Sequence, residues 1–160
     1  MAADPAVAYR VTTCMVDLVE ARQRGDARGV CVPHLPVAVP VARRTVLADI
    51  AGKLDPSLMH ETAMVVSELL GNAVRHARPL DDGRVLLRWQ VRGGVLDVEV
   101  TDGGSRGAIR AQRPTVLSTG GRGLRIVRHL AHEWGVVEDE DRRTVWASLG
   151  GPSRRRRRAV

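Results

Sequence analysis

The pattern of hydrophobic and polar positions predicts a long amphipathic helix near the middle of the chain. Between Glu61 and His76, apolar residues recur at three- and four-residue steps and so share one broad face. They are Val65, Val66, Leu69, Leu70, Ala73 and Val74. Four polar residues fall seven, four and four positions apart and stack along a second stripe: Glu61, Glu68, Asn72 and His76.

This polar stripe has two interpretations from the residues alone. Asn prefers caps and turns, so an Asn in mid-helix, one turn after a Glu, suggests that a carbonyl and a carboxylate face a site. The alternative is an ordinary polar helix edge that tolerates Asn72. A histidine at the end of a helix is more often a packing residue than a catalyst, and Arg75 beside His76 is equally ambiguous.

The remaining patterns predict an α+β fold. The clearest strand signal is a hairpin from Arg84 to Thr101, in which Gly93-Gly94 forms a two-residue turn and Leu96, Val98 and Val100 alternate with polar residues. The other predicted elements are helices at 6–24, about 39–54 and 124–132, and strands at 29–32, 134–137 and 144–149, with Ser57 as the N-cap of the central helix and its end near Ala77. We expect a two-layer α/β sandwich, in which helices cover one face of a mixed, mostly antiparallel sheet.

Composition and charge narrow the classes of function. The chain has 160 residues, 44% of them apolar, which fits one globular domain with its own core. Its net charge of +7 is misleading, because Arg154 to Arg158 contribute five positive charges and leave the rest of the chain at +2. With three Trp, one Tyr and no Phe, few rings are present on which bases could stack. Nucleic-acid binding is therefore disfavoured, except through the arginine run.

We expect three segments: an N-terminal extension at 1–28, a folded domain at 29–150 and a disordered, arginine-rich tail at 151–160. Cys14 and Cys31 lack the paired spacing of a zinc site and are predicted to be buried, reduced thiols. No apolar run reaches the roughly 18 residues of a membrane span, and the N-terminus lacks the pattern of a signal peptide. A cytoplasmic location without membrane attachment is the expectation.

Three candidate ligand-binding features follow one another along the chain: the Glu68–Asn72 pair, the Asp102-x-Gly104 strand end, and a glycine-rich loop from Gly120 to Gly123 that opens a helix. Each is a weak signal alone. A glycine-rich loop before a helix can hold phosphate, because backbone amides are free there and the helix dipole is positive. An Asp at a strand end either caps backbone amides or accepts a hydrogen bond from a ligand amine.

Together these segments resemble a known family. The stretches ETAMVVSELLGNAVRHA, VEVTDGG and STGGRGLRIVRHLAHEWGV are similar, in order and spacing, to the N, G1 and G2 boxes of the GHKL (Bergerat-fold) ATPases. That superfamily includes gyrase-type topoisomerases, histidine kinases and mismatch-repair ATPases. The similarity is greatest to its small single-domain branch, the anti-sigma-factor serine kinases and related regulators of actinobacteria, and extends over about 31–149.

The resemblance implies roles for individual residues. Asn72 would coordinate Mg²⁺ through its side-chain oxygen. Glu68 would be the general base that activates the attacking hydroxyl, or alternatively a residue that orients water on the metal. Asp102 would accept a hydrogen bond from the adenine amino group, and Gly104 would let the purine approach the backbone.

The resemblance also implies a phosphate site and further contacts with ATP. The amides of Gly121 and Gly123 would meet the β- and γ-phosphates. Arg122 would either touch phosphate or be a solvated residue of the lid. Leu124 would belong to the same ATP site, and Thr144 would make a direct or water-mediated contact near the adenine ring.

Two functions remain open on this basis. The first is an ATP- and Mg²⁺-dependent regulator that binds a sigma factor and phosphorylates Ser or Thr of an antagonist protein. The second is a non-catalytic module whose lid, at 105–119, is ordered by nucleotide and creates a protein-binding surface. Related kinases are often homodimers, so a homodimer is a further expectation. The lid is short for the superfamily, and 1–28 and the arginine tail have no counterpart in it, which leaves phosphotransfer less certain than ATP binding.

Overall fold

Five β-strands and three α-helices make up the part of the chain that the computed structural model describes, namely residues 27–104, 122–139 and 141–151. In chain order they are β1 (Arg28–Pro33), a 3-10 turn (Pro36–Ala38), α1 (Val39–Ile50), α2 (Ser57–His76), β2 (Arg84–Arg92), β3 (Val95–Asp102), α3 (Arg122–Leu130), β4 (Glu133–Glu138) and β5 (Arg143–Leu149). The predicted N-terminal helix at 6–24, the lid at 105–119 and the arginine run lie outside the described residues.

The strands form one sheet in the order β1-β2-β3-β5-β4, and every neighbouring pair is antiparallel. The β2–β3 hairpin is confirmed, and both glycines of its turn have positive φ (54° at Gly93, 78° at Gly94), the backbone twist that two-residue hairpin turns favour. Strand β5 pairs with β3 as well as with its predicted partner β4, so it lies between the two. The end of β3 is thereby held in the interior of the sheet.

The three helices pack on one face of this sheet, as the α+β prediction required. Side chains alternate along each strand, so one face of β3 contributes Leu96, Val98 and Val100 to the core. The apolar face of α2 meets them with Val65, Val66, Leu69, Leu70 and Ala73, all of which are buried. This aliphatic layer fixes α2 across the sheet and therefore fixes the position of the polar stripe on the same helix.

Several predicted boundaries shift for local reasons. Helix α1 ends at Ile50 instead of Leu54, because the chain turns through Gly52, whose φ is 75°. The prediction that Ser57 is an N-cap is wrong, since Ser57 lies inside α2. The carboxylate of Asp55 does the capping instead and accepts hydrogen bonds from the backbone N–H (2.9 Å) and the hydroxyl (2.7 Å) of Ser57. None of the described helices has the length and hydropathy to cross a membrane.

Candidate functional site

The C-terminal end of α2 is tied to the end of β3 by backbone hydrogen bonds. The N–H of Gly103 donates to the carbonyl of Arg78 (2.8 Å), and the N–H of Arg78 donates to the carbonyl of Gly104 (2.9 Å). The two segments approach so closely that a Cβ added at Gly103 would overlap the carbonyl oxygen of Pro79. Glycine is therefore required at 103, and this contact brings the last turns of α2 beside Asp102.

Asp102 is the most deeply buried acidic side chain in the described part of the chain, with 1% of its surface exposed. Its Oδ1 accepts a hydrogen bond from the N–H of Gly104 (2.9 Å), and its Oδ2 accepts one from Nη2 of Arg143 (3.0 Å). Burial raises the pKa of Asp102 above the ordinary aspartate range, and the neighbouring Arg143 charge offsets only part of that rise. Each carboxylate oxygen has a second lone pair, so Asp102 can still accept a hydrogen bond from a ligand.

Glu68 and Asn72 lie one turn apart on α2, and both are half-buried. Within the described residues, neither side chain makes a hydrogen bond, whereas the adjacent Ser67 hydroxyl donates to the carbonyl of Ala63 (2.7 Å) and accepts from Arg43 (3.0 Å). The predicted pair thus keeps its carbonyl and carboxylate oxygens available. His76 and Arg75, at the end of the helix, are exposed.

The topology places the beginning of α3 at the same end of the sheet as Asp102. Strand β4 runs along β5 from Glu133, opposite Ser148, to Glu138, opposite Arg143, and Arg143 is itself opposite Asp102. Because α3 ends just before β4 begins, α3 must run in the reverse direction and start near the Asp102 end. The first backbone amides of a helix have no partner within the helix, so this end of the site offers hydrogen-bond donors and a positive dipole.

Helices α2 and α3 lie side by side in antiparallel orientation. Met64 of α2 and Arg125, Ile126, His129 and Leu130 of α3 line an open groove between them. Met64 precedes Glu68 by one turn, so the earlier residues of α3 are level with the Glu68–Asn72 pair. The structure therefore brings the last turns of α2, Asp102 and the beginning of α3 toward one end of the sheet.

The remaining predicted site residues fall in different places. Gly104 has a φ of 73°, and a Cβ added there would meet no atom of the described residues within 4 Å. Arg122 and Gly123 are the first two positions of α3, and the half-buried Leu124 packs against the core. Gly121 lies outside the described residues.

Thr144 is not brought to Asp102. Its hydroxyl forms a hydrogen bond with the hydroxyl of Thr101 (2.8 Å), its register partner on β3. Since successive residues of a strand point to opposite faces, Thr101 and Thr144 lie on the sheet face away from the helices, while Asp102 and Arg143 lie on the helix-covered face. The expected contact of Thr144 with the adenine ring stays a prediction.

Sequence reasoning missed Arg143, the residue that occupies the position opposite Asp102. The signal that could have found it is the alternation of Val145, Ala147 and Leu149 along β5, which extends back to position 143 as part of the buried face. Nothing in the sequence alone indicates that β5 pairs with β3 in this register.

The described residues contain no cluster of three or more His, Cys, Asp or Glu side chains that could hold a metal ion. On α2, Glu68 and Asn72 offer hard oxygen donors one turn apart.

Comparison with known proteins defines the class. Residues 32–149 match the family model of the histidine kinase-like ATPase domain, and the chain belongs to this family. It is a GHKL-type ATPase domain, and an ATPase domain implies that the chain binds ATP. No curated protein matches the chain.

A solved structure has a similar fold: the RsbU and RsbW domains of Rv1364c from Mycobacterium tuberculosis, with a TM-score of 0.60 and 18% sequence identity. The alignment covers 83% of this chain and 35% of that one, so the present chain spans about a third of the protein it matches. A likeness at this level of identity supports the fold.

Proposed function

We propose that this protein binds ATP together with Mg²⁺ and acts as a regulator of the anti-sigma-factor type. Residues 29–150 would form the domain that binds the nucleotide. The observation that supports this most directly is the buried carboxylate of Asp102, which lies two residues before Gly104 and at the same end of the sheet as the beginning of α3. A base at Asp102 and phosphates at α3 would span one continuous site.

Asp102 suits the adenine amino group, because a buried carboxylate with free lone pairs is a strong acceptor for an N–H donor. Gly104 suits a flat ring, since no atom of the described residues lies within 4 Å of a Cβ added there. The first amides of α3, at Arg122 and Gly123, suit phosphate oxygens. The adenine base would thus be selected at the strand end and the triphosphate held at the helix.

Asn72 would hold Mg²⁺ through its side-chain oxygen. Its amide is half-buried on α2 and has no hydrogen bond to another described side chain, which leaves the oxygen available. Mg²⁺ commonly takes one or two protein oxygens and completes its shell with phosphate oxygens and water, so one amide ligand is enough. The ion would neutralise charge on the phosphates and fix their position.

Glu68 would act as the general base toward a Ser or Thr hydroxyl on a partner protein, which makes the domain a protein serine/threonine kinase. Phosphoryl transfer depends mostly on positioning and charge neutralisation, so the protein needs to supply little further covalent chemistry. The partner would be a small antagonist protein, and the second partner a sigma factor. A homodimer of this chain is consistent with that role.

Titration calorimetry of the protein with ATP, with and without Mg²⁺, tests nucleotide binding. We expect Asn72→Ala to weaken Mg²⁺-dependent affinity by about tenfold or more, as is typical when an ion-coordinating group is lost. The matched control is Glu61→Ala, on the same helical stripe but three turns away, which should bind within about twofold of the parent. Failure of the parent protein to bind ATP would exclude both ATP-dependent functions and leave a domain that works by protein contacts.

Transfer of labelled γ-phosphate to candidate antagonist proteins tests the kinase role. We expect Glu68→Gln, which preserves shape but removes the base, to lower transfer by about 100-fold or more while ATP affinity stays within about threefold. If the variant transfers phosphate at the parent rate, Glu68 is not the base. If the parent binds ATP but every labelled phosphate stays on the nucleotide, the nucleotide-gated module becomes the function.

A further inference from the structure

The guanidinium of Arg143 is held within the domain beside Asp102, and its buried Nε–H has no acceptor among the described residues. The side chain is 16% exposed, and its Nη2 donates to Oδ2 of Asp102 at 3.0 Å. Its Nε is buried and makes no hydrogen bond in the part of the chain that the structure describes. Buried donors are nearly always paired, so this one calls for a partner that the described residues do not supply.

The shape of the guanidinium shows where such a partner must lie. The group is planar, and the Nε–H and one Nη2–H point the same way along one of its edges. A carboxylate facing that edge squarely would accept from both. Here Asp102 uses its Oδ1 for the N–H of Gly104 instead (2.9 Å), so only Oδ2 meets Arg143. The Nε–H shares this edge with the Nη2 that bonds Oδ2, which leaves it available to an acceptor placed beside Oδ2.

Oδ2 of Asp102 and Nε of Arg143 thus present an acceptor beside a donor. Adenine has the complementary arrangement on both of its polar edges, since the exocyclic amino group is flanked by the ring nitrogens N1 and N7, which are acceptors. Guanine carries an oxygen in place of that amino group and would set acceptor against acceptor. A carboxylate alone would recognise only the amino group, whereas the pair recognises the amino group and its neighbour together.

We propose that Arg143 is a specificity-determining residue of the nucleotide site, whose Nε–H donates to a ring nitrogen of adenine adjacent to the amino group held by Asp102. This inference rests on the proposed ATP-binding function. It adds a second group that recognises the base, a cationic side chain on a strand that is distant in sequence from the three motifs. Arg143 would also orient the Asp102 carboxylate, and the test must separate the two roles.

The test is titration calorimetry with Mg²⁺ and four nucleotides: ATP, 1-deaza-ATP, 7-deaza-ATP and GTP. In the parent protein we expect one deaza analogue, the one that lacks the bonded nitrogen, to bind about tenfold more weakly than ATP, and the other to bind as ATP does. GTP should bind more weakly still. These measurements need no substitution, so they hold whether or not a variant folds.

The variant Arg143→Met removes the donor, and Arg143→Lys keeps the charge beside Asp102 without the parallel N–H pair. In both we expect ATP affinity to fall to that of the weak analogue, and the difference between ATP and that analogue to vanish. Arg142→Met, the exposed neighbour, is the matched control and should retain the difference. Thermal unfolding of each variant checks that it is folded.

Three results would overturn the inference, and they are distinguishable from one another. If both deaza analogues bind the parent as ATP does, Arg143 reads no ring nitrogen. If one analogue is weak in the parent and equally weak relative to ATP in Arg143→Met, another group reads that nitrogen and Arg143 serves only the ion pair. If the parent binds no ATP at all, the proposed function itself fails.

Discussion

The close approach of Gly103 to the segment after α2 gives a sharp prediction for Gly103→Ala. A Cβ at 103 would overlap the carbonyl oxygen of Pro79, lie 3.0 Å from its carbonyl carbon and 3.2 Å from the carbonyl oxygen of Arg78. These are backbone atoms, which cannot rotate away as a side chain would. Gly103 does not have a positive φ, so the cost is steric rather than conformational. The substitution must push the strand end and the helix end apart.

Separation would break the two hydrogen bonds that join these segments, at Gly103 N–H (2.8 Å) and Arg78 N–H (2.9 Å). Each is worth about 1 kcal/mol, and overpacking of a rigid contact adds about 1–3 kcal/mol. We therefore expect the free energy of unfolding to fall by about 4 kcal/mol, a large part of the roughly 5–15 kcal/mol that such domains possess. For a domain of this size that corresponds to a loss of roughly 8–16 °C in Tm.

The assay is thermal and urea unfolding followed by circular dichroism, with Gly52→Ala as the matched control. Gly52 has a φ of 75°, but an added Cβ there would meet nothing within 4 Å. That variant should lose only the cost of a left-handed alanine, about 1 kcal/mol. Nucleotide affinity should also fall in Gly103→Ala, because Asp102 is the adjoining residue, and should not change in Gly52→Ala.

The reasoning is refuted if Gly103→Ala unfolds within about 1 kcal/mol of Gly52→Ala. Such a result would mean that the segments at 78–79 and 103–104 are not in tight contact in solution. The position of α2 relative to Asp102, on which the proposed site depends, would then need to be revised.

Three further predictions address other parts of the structure. Burial raises the pKa of Asp102, so ionising this group costs stability as pH rises from about 4 through its folded pKa. In urea unfolding at a series of pH values, Asp102→Asn should therefore gain stability relative to the parent over that range. If the free energies of unfolding of the two proteins change with pH in parallel, the prediction is contradicted. The indole N–H of Trp89 donates to Asp49 (2.8 Å) and helps to lower the pKa of Asp49 against the opposing effect of burial. The free energy of unfolding of Trp89→Phe should be about 2 kcal/mol below that of the parent at neutral pH. The difference should be smaller in acid, where Asp49 is protonated in both proteins. Thr144→Val should lower the free energy of unfolding by about 1 kcal/mol because the Thr101 hydroxyl is left unpaired, and the double variant Thr101→Val/Thr144→Val should recover much of that loss. In calorimetry, the ATP affinity of Thr144→Val should stay within about twofold of the parent. A larger change in affinity would place Thr144 in the site.

Local patterns in the sequence were sufficient for much of the fold and for part of the site. The spacing of Val65 through Ala73 fixed both faces of α2, and the glycine pair at 93–94 with the alternation of β3 fixed the central hairpin. In these cases the period of the apolar residues and the chemistry of the turn act over a few residues, so the sequence shows them directly. The same local signals identified Glu68, Asn72, Asp102 and Gly104 as candidates.

Other features depend on pairing between distant segments. The side chains of neighbouring residues on a strand point to opposite faces, so Arg143 and Thr144 must differ in environment, but the sequence did not show which of them faces the helices. Trp146 lies on the same face as Thr144 and blurs the apolar alternation that would have decided it. The placement of Arg143 beside Asp102 required the β3–β5 register.

The sequence by itself thus determined that this chain has an amphipathic helix bearing Glu68 and Asn72, a hairpin ending in Asp102, and the motif order of a GHKL-type ATPase domain. The tertiary structure decided that Asp102 is buried against Arg143, whereas the hydroxyl of Thr144 is paired with that of Thr101. The physical reason is that helices and hairpins are specified by interactions within a few residues. The register between β3 and β5 is specified only when their shared face is buried beneath the helices.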